Sequence, residues 1–90
     1  MNDHELERPL VTRAQGGDRQ AMEELLASLA PRLHRFGKRL CDSYAEDALQ
    51  NSLLTIAQEL PRFRGDSEVS TWAYSILRSA CSRLVRGKIN

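Results

Sequence analysis

Apolar residues along this chain recur with the period of an α-helix and nowhere alternate with the period of a strand. Met22, Leu25, Leu26, Leu29, Leu33, Phe36 and Leu40 fall at offsets 0, 3, 4, 7, 11, 14 and 18, which predicts one face of a long helix. Asp18 stands where that helix would be capped. Gly16 and Gly17, just before it, predict the end of a shorter helix carrying Leu6, Leu10, Val11 and Ala14. Pro31 lies about 180° from the apolar stripe at 100° per residue, so the expectation is a solvent-side bend in one continuous helix. Ser43-Tyr44-Ala45-Glu46 has the spacing of a capping box. The helix it opens would use Ala45, Leu49, Leu53, Ile56 and Leu60 as its core face and stop at Pro61. From Arg62 to Val69 there is no period, and Gly65 interrupts the run. Ser70 is expected to cap a last helix, with Val69 packing on Tyr74. That helix would bury Ala73, Ile76, Leu77, Ala80 and Leu84 and end near Gly87. The predicted fold class is all-α, a compact bundle of four helices with short connections.

Ninety residues make one small domain, and 41% apolar with 28% charged residues is the composition of an ordinary globular protein. The net charge of +1 argues nothing about partners, but its distribution does. Residues 1–60 hold 7 Lys/Arg against 10 Asp/Glu, a net of −3; residues 61–90 hold 6 against 2, a net of +4. Either the split is accidental, or one surface suits a protein partner and another suits phosphate. Cys41 and Cys81 form no CxxC pair, and two cysteines make a poor disulfide framework. No secretory signal and no apolar run long enough to span a membrane is present, so a cytoplasmic location without membrane insertion is expected.

Two stretches carry candidate chemistry. On the third helix, Asp47, Gln50, Asn51, Leu54 and Gln58 share the face away from the core leucines. An exposed leucine ringed by an acid and amides fits a helix-docking patch, with an apolar anchor and a polar rim. An ordinary solvated face with one stray leucine is the competing reading. On the last helix, Ser75, Arg78, Ser79, Ser82, Arg83 and Arg86 are left outside the core. Arginine forks bind phosphate, and the serines between them let a backbone approach closely. Phe63, Trp72 and Tyr74 flank the loop and either stack on unpaired bases or complete the core. Catalysis finds no support: no nucleophile elbow, Gly-rich phosphate loop or paired acids are present. His34 and Cys41 lie two turns apart on nearly one face, but with His4 and Cys81 as the other soft ligands no metal site is expected.

The order of these elements resembles region 2 of a bacterial sigma-70-family factor of the extracytoplasmic-function (group IV) type. The likeness begins at Leu10-Val11 with Gly17-Asp18 and Ala21-Met22, and continues through Ala45-Glu46-Asp47-Ala48-Leu49-Gln50. It ends with Phe63-Arg64-Gly65-Asp66-Ser67 and Thr71-Trp72-Ala73-Tyr74-Ser75-Ile76. The resemblance implies a compact four-helix bundle over residues 1–90, without catalytic activity or cofactor. It implies that Asp47 and Gln50, with Asn51 and Leu54 beside them, bind the coiled coil of the largest RNA polymerase subunit. It further implies that the loop of Arg64, Gly65, Asp66 and Ser67, with Trp72, captures a base flipped from the non-template strand of the −10 promoter element. Ser79 would lie near the pocket wall, and Arg78, Arg83 and Arg86 would hold the DNA backbone. An anti-sigma factor would hold the domain in check.

The chain departs from the family pattern at four places. Asn51 stands where an acid is usual, Val69 where Phe is frequent, and Ser79 where a larger amide is frequent. The family also continues into a helix-turn-helix domain, region 4, whereas this sequence stops at Asn90. It is either an excised domain or a protein without that second half. Two rival readings follow: a sigma-like decoy that sequesters an anti-sigma factor without binding polymerase, and a helical interaction module unrelated to transcription.

Overall fold

The computed structural model describes the backbone of residues 3–89 and the side chains of residues 7–87. Leu6 and His4 therefore lie outside the described side chains. The described chain is all-α, without strands: α1 (Asp3–Gln15), α2 (Arg19–Cys41), α3 (Ala45–Glu59) and α4 (Val69–Ile89). Short 3-10 turns, Asp42–Tyr44 and Leu60–Arg62, lead into and out of α3.

α1 ends as its glycines predict. Gly17 takes φ +98, a left-handed conformation that side chains resist. The amide of Gly17 donates to the Ala14 carbonyl at 3.0 Å, and that of Asp18 to Arg13 at 3.0 Å, closing a Schellman turn. Asp18 then caps α2, accepting from the Ala21 amide at 3.1 Å. It also accepts from Arg13 Nε at 3.1 Å and Nη2 at 3.0 Å. The Ala21 amide first, and then Arg13, hold its carboxyl below the ordinary 3.8. A folded value lower than the unfolded one means that this contribution is intact above pH 3.8 and is lost as pH falls through the lowered value. Denaturant titrations of wild type and Asp18→Ala should therefore differ most above pH 3.8 and converge in more acidic solution. A difference independent of pH would contradict this.

α2 is the central helix, packing against each of the other three. It passes unbroken through Pro31, which is exposed. Its deepest line is Ala21, Leu25, Leu29, Leu33, Gly37 and Cys41. These positions are four residues apart, so the line drifts about 40° per step around the axis. α2 accordingly turns one face toward its partners at the start and a different one at the end. The straight stripe predicted from the sequence misses this drift. Leu40, expected in the core, is 43% exposed, whereas Ala21, Gly37 and Cys41 are buried.

The remaining core comes from Ala48, Leu49, Ile56 and Leu60 with Val69, Ala73, Leu77 and Ala80. Burial of each leucine or isoleucine among them contributes about 1.5–3 kcal/mol. Three boundary expectations are corrected. The capping box at Ser43 does not form, because the 3-10 turn runs directly into α3 and Tyr44 occupies the cap position without a side-chain bond. Glu46 and Asp47 support the α3 N-terminus instead through its dipole. Ser70 is not the cap of α4. The helix starts at Val69, the Trp72 amide donates to the Glu68 carbonyl at 3.2 Å, and Ser70 is buried in the first turn. α4 also continues past Gly87 to Ile89, since one glycine costs a helix only about 1 kcal/mol.

The largest correction concerns the cysteines. Cys41 at the end of α2 and Cys81 in α4 are joined as a disulfide, with Cα atoms 5.6 Å apart. Their sequence separation of 40 concealed a proximity that exists only once α4 packs on α2.

Candidate nucleic-acid and docking surfaces

α1 and the loop after α3 form one site together. Gln15, at the end of α1, donates from Nε2 to the carbonyls of Leu60 at 3.1 Å and Phe63 at 2.7 Å. Arg8, at the middle of α1, pairs with Glu68 at 2.9 Å. The loop is thus tied to α1 at both ends and bows outward between them. Gly65 takes φ +80 at its turn. A cavity of about 520 Å³ opens between the two, with Val11 and Thr12 on one wall and Arg64, Gly65, Asp66 and Ser67 on the other. That volume is in the range of small-molecule pockets.

The same cavity touches Glu7, a carboxylate only 2% exposed. Its Oε2 accepts from the Ser28 hydroxyl at 3.1 Å and pairs with Arg32. Its Oε1 has no hydrogen-bond partner. Sequence reasoning missed the whole α1 wall. Glu7, Arg8, Thr12 and Gln15 are ordinary polar residues on a helix, and only their packing against the loop gives them a role.

The aromatic residues divide differently from the stacking expectation. Phe63 and Trp72 pack in a tilted arrangement, with ring centroids 4.8 Å apart and planes 33° apart. Tyr74 packs on Phe36 at 5.1 Å. All three loop-flanking rings are half-buried against the core. Trp72 and Ser79 are also absent from the cavity lining. Ser79 is exposed on α4, ten residues beyond its start, or roughly 15 Å along the axis.

The two predicted faces are both exposed. On α3, Asp47, Gln50, Asn51 and Gln58 are open to solvent and Leu54 is 60% exposed, more than any other large apolar side chain described. On α4, Ser75, Arg78, Ser79, Ser82, Arg83 and Arg86 are exposed. Arg64, Gly65, Asp66 and Ser67 are exposed at the loop. His34 is also accessible, 3.4 Å from Glu46. Cys41 is held by Cys81 and unavailable to it, and no cluster of three metal-ligating side chains occurs among the described residues. No described helix is long and apolar enough to cross a membrane.

Residues 25–88 match the family model described as Sigma-70 region 2. Over 75 residues the chain is 36% identical to the ECF RNA polymerase sigma factor SigM of Mycobacterium tuberculosis, in strains Erdman and H37Rv. The match takes in 80% of this chain but 38% of each relative, so the chain spans well under half the length of the curated proteins it matches. No solved structure matches it.

Proposed function

The chain belongs to the sigma-70 family as a region 2 domain of the extracytoplasmic-function type, and we propose that it binds RNA polymerase core through α3 and the −10 promoter element through α4 and its preceding loop. Sigma factors serve transcription initiation and are not enzymes. In this reading Asp47, Gln50, Asn51 and Leu54 meet the coiled coil of the largest polymerase subunit. A base flipped from the non-template strand enters beside Arg64, Gly65, Asp66 and Ser67. Arg78, Arg83 and Arg86 hold the backbone of that strand, with Trp72 and Ser79 at the edges of the path. Flipping costs a few kcal/mol, offset by contacts in the pocket. An anti-sigma factor as regulator and a cytoplasmic location belong to the same proposal.

The observation that carries it is the pairing, on one bundle, of an amide-and-acid face around exposed Leu54 with an arginine-serine face leading from a loop-lined cavity. A labelled single-stranded −10 oligonucleotide, titrated over a salt series, tests the DNA half. Arg78→Ala combined with Arg83→Ala should weaken binding and reduce the log–log salt slope by about 1.4, at about 0.7 per lost phosphate contact on a single strand. Failure of the folded wild type to bind would overturn the promoter reading. Capture of an anti-sigma factor by that same protein would favour the sequestering decoy, for which Asn51, in place of an acid on the docking face, is the one favouring observation.

A further inference from the structure

The second half of α2 carries Arg32, Arg35, Lys38 and Arg39 between Pro31 and Cys41, and no acid. Two of these cations are engaged: Arg32 pairs with Glu7, and Lys38 lies 3.4 Å from Asp42. Arg35 and Arg39 are one turn apart on the same face, exposed, and make no ion pair among the described residues. α4 adds a third arginine to them. The rings of Phe36 and Tyr74 pack across the helix junction, and Arg78 lays its guanidinium over Phe36, 5.9 Å from the ring centre. That cation–π contact leans Arg78 toward α2. A shallow cleft follows the junction, lined by Arg32, His34, Arg35, Phe36, Lys38, Arg39 and Tyr74.

We propose that this α2–α4 cleft is a phosphate-binding strip, in which Arg35 and Arg39 of α2 grip the sugar–phosphate backbone of the strand that Arg78 also touches. The proposal rests on the promoter-binding reading and extends it to a helix that the reading leaves without a DNA role. Arg35 and Arg39 are separated by roughly 6 Å along the axis, comparable with the distance between successive phosphates of a strand. Guanidinium forks suit phosphate oxygens. A nucleic-acid backbone fits better than an acidic protein segment because a protein interface needs an apolar centre. Here the two rings are packed on each other and half-buried, while the most exposed apolar side chain, Leu54, is on α3. A strip dominated by cations is ordinary for a nucleic-acid contact.

Arg35→Gln with Arg39→Gln removes both charges at exposed helical positions and keeps good helix formers, so the fold should survive. Binding to the labelled single-stranded −10 oligonucleotide should fall roughly tenfold or more at low salt, with a slope smaller by about 1.4. Capture of polymerase core should remain at the wild-type level. Wild-type affinity and slope in this variant, while Arg83→Ala with Arg86→Ala weakens binding, would overturn the α2 strip and leave the promoter reading standing. No oligonucleotide binding by the wild type would overturn both. Loss of binding to a purified acidic protein partner, with DNA binding intact, would assign the cleft to that partner and overturn the proposal.

Discussion

Asp47→Arg should remove capture of polymerase core almost completely while leaving a folded domain. Asp47 is exposed in the first turn of α3, beside Gln50 and one and a half to two turns from Leu54. Truncating one partner of a desolvated charge pair at an interface costs about 2–5 kcal/mol, and reversing the charge adds repulsion. At about 1.4 kcal/mol per tenfold, affinity should drop by about 30-fold or more. The substitution also places a cation at a helix N-terminus, which costs up to about 1 kcal/mol at an exposed site. Asp47→Asn separates the effects: it should weaken capture with little change in melting temperature. A pull-down of bacterial core polymerase with wild type and both variants, beside their thermal melts, decides it. Equal capture by all three would rule out the α3 face as the docking surface. Capture by none, from a folded wild type, would favour the decoy.

The second large effect is expected from the Cys41–Cys81 bond. It closes a loop with a sequence separation of 40. By the chain-entropy estimate, such a crosslink stabilises by about 4 kcal/mol, mainly by restricting the unfolded chain. For a domain of this size that corresponds to a fall in melting temperature of roughly 15–30 °C on reduction. Reductant is a better probe than Cys41→Ser with Cys81→Ser, because both side chains are buried, 7% and 4% exposed, and the substitution would also disturb packing. Thermal melts of the wild type with and without reductant should differ by that margin, and thiol titration of the oxidised native protein should find no free cysteine. Identical melts with two reactive thiols would show that the crosslink does not form. In the cytoplasm proposed for this domain, thiol buffers keep most cysteines reduced. There its stability would rest on the apolar core, led by the fully buried Leu25, Leu29, Leu33, Ile56, Leu60 and Leu77.

The outward faces of α3 and α4 were legible because each lies on a single helix. Once the period places Leu49, Leu53 and Ile56 inward, geometry alone sends Asp47, Gln50, Asn51 and Leu54 outward. The same holds for Arg78, Ser79, Arg83 and Arg86 opposite Ala73, Leu77 and Ala80. The cavity was half legible. Gly65 and the missing period marked its loop wall, but nothing in α1 announced that Gln15 would reach the Leu60 and Phe63 carbonyls. Trp72 was undecided until its packing against Phe63 and the core was seen.

By itself, then, the sequence determined the all-α class, the Gly17–Asp18 junction, the unbroken α2 and the outward faces of α3 and α4. These depend on interactions within a few residues, where local spacing sets direction. Only the tertiary structure decided what spans distant segments: the Cys41–Cys81 bond, Glu7 beneath Arg32, the α1 wall of the cavity and the cleft where α2 meets α4. Each depends on the angle at which two helices cross and on the slow drift of the buried line around α2, and neither quantity is written in the spacing along one helix.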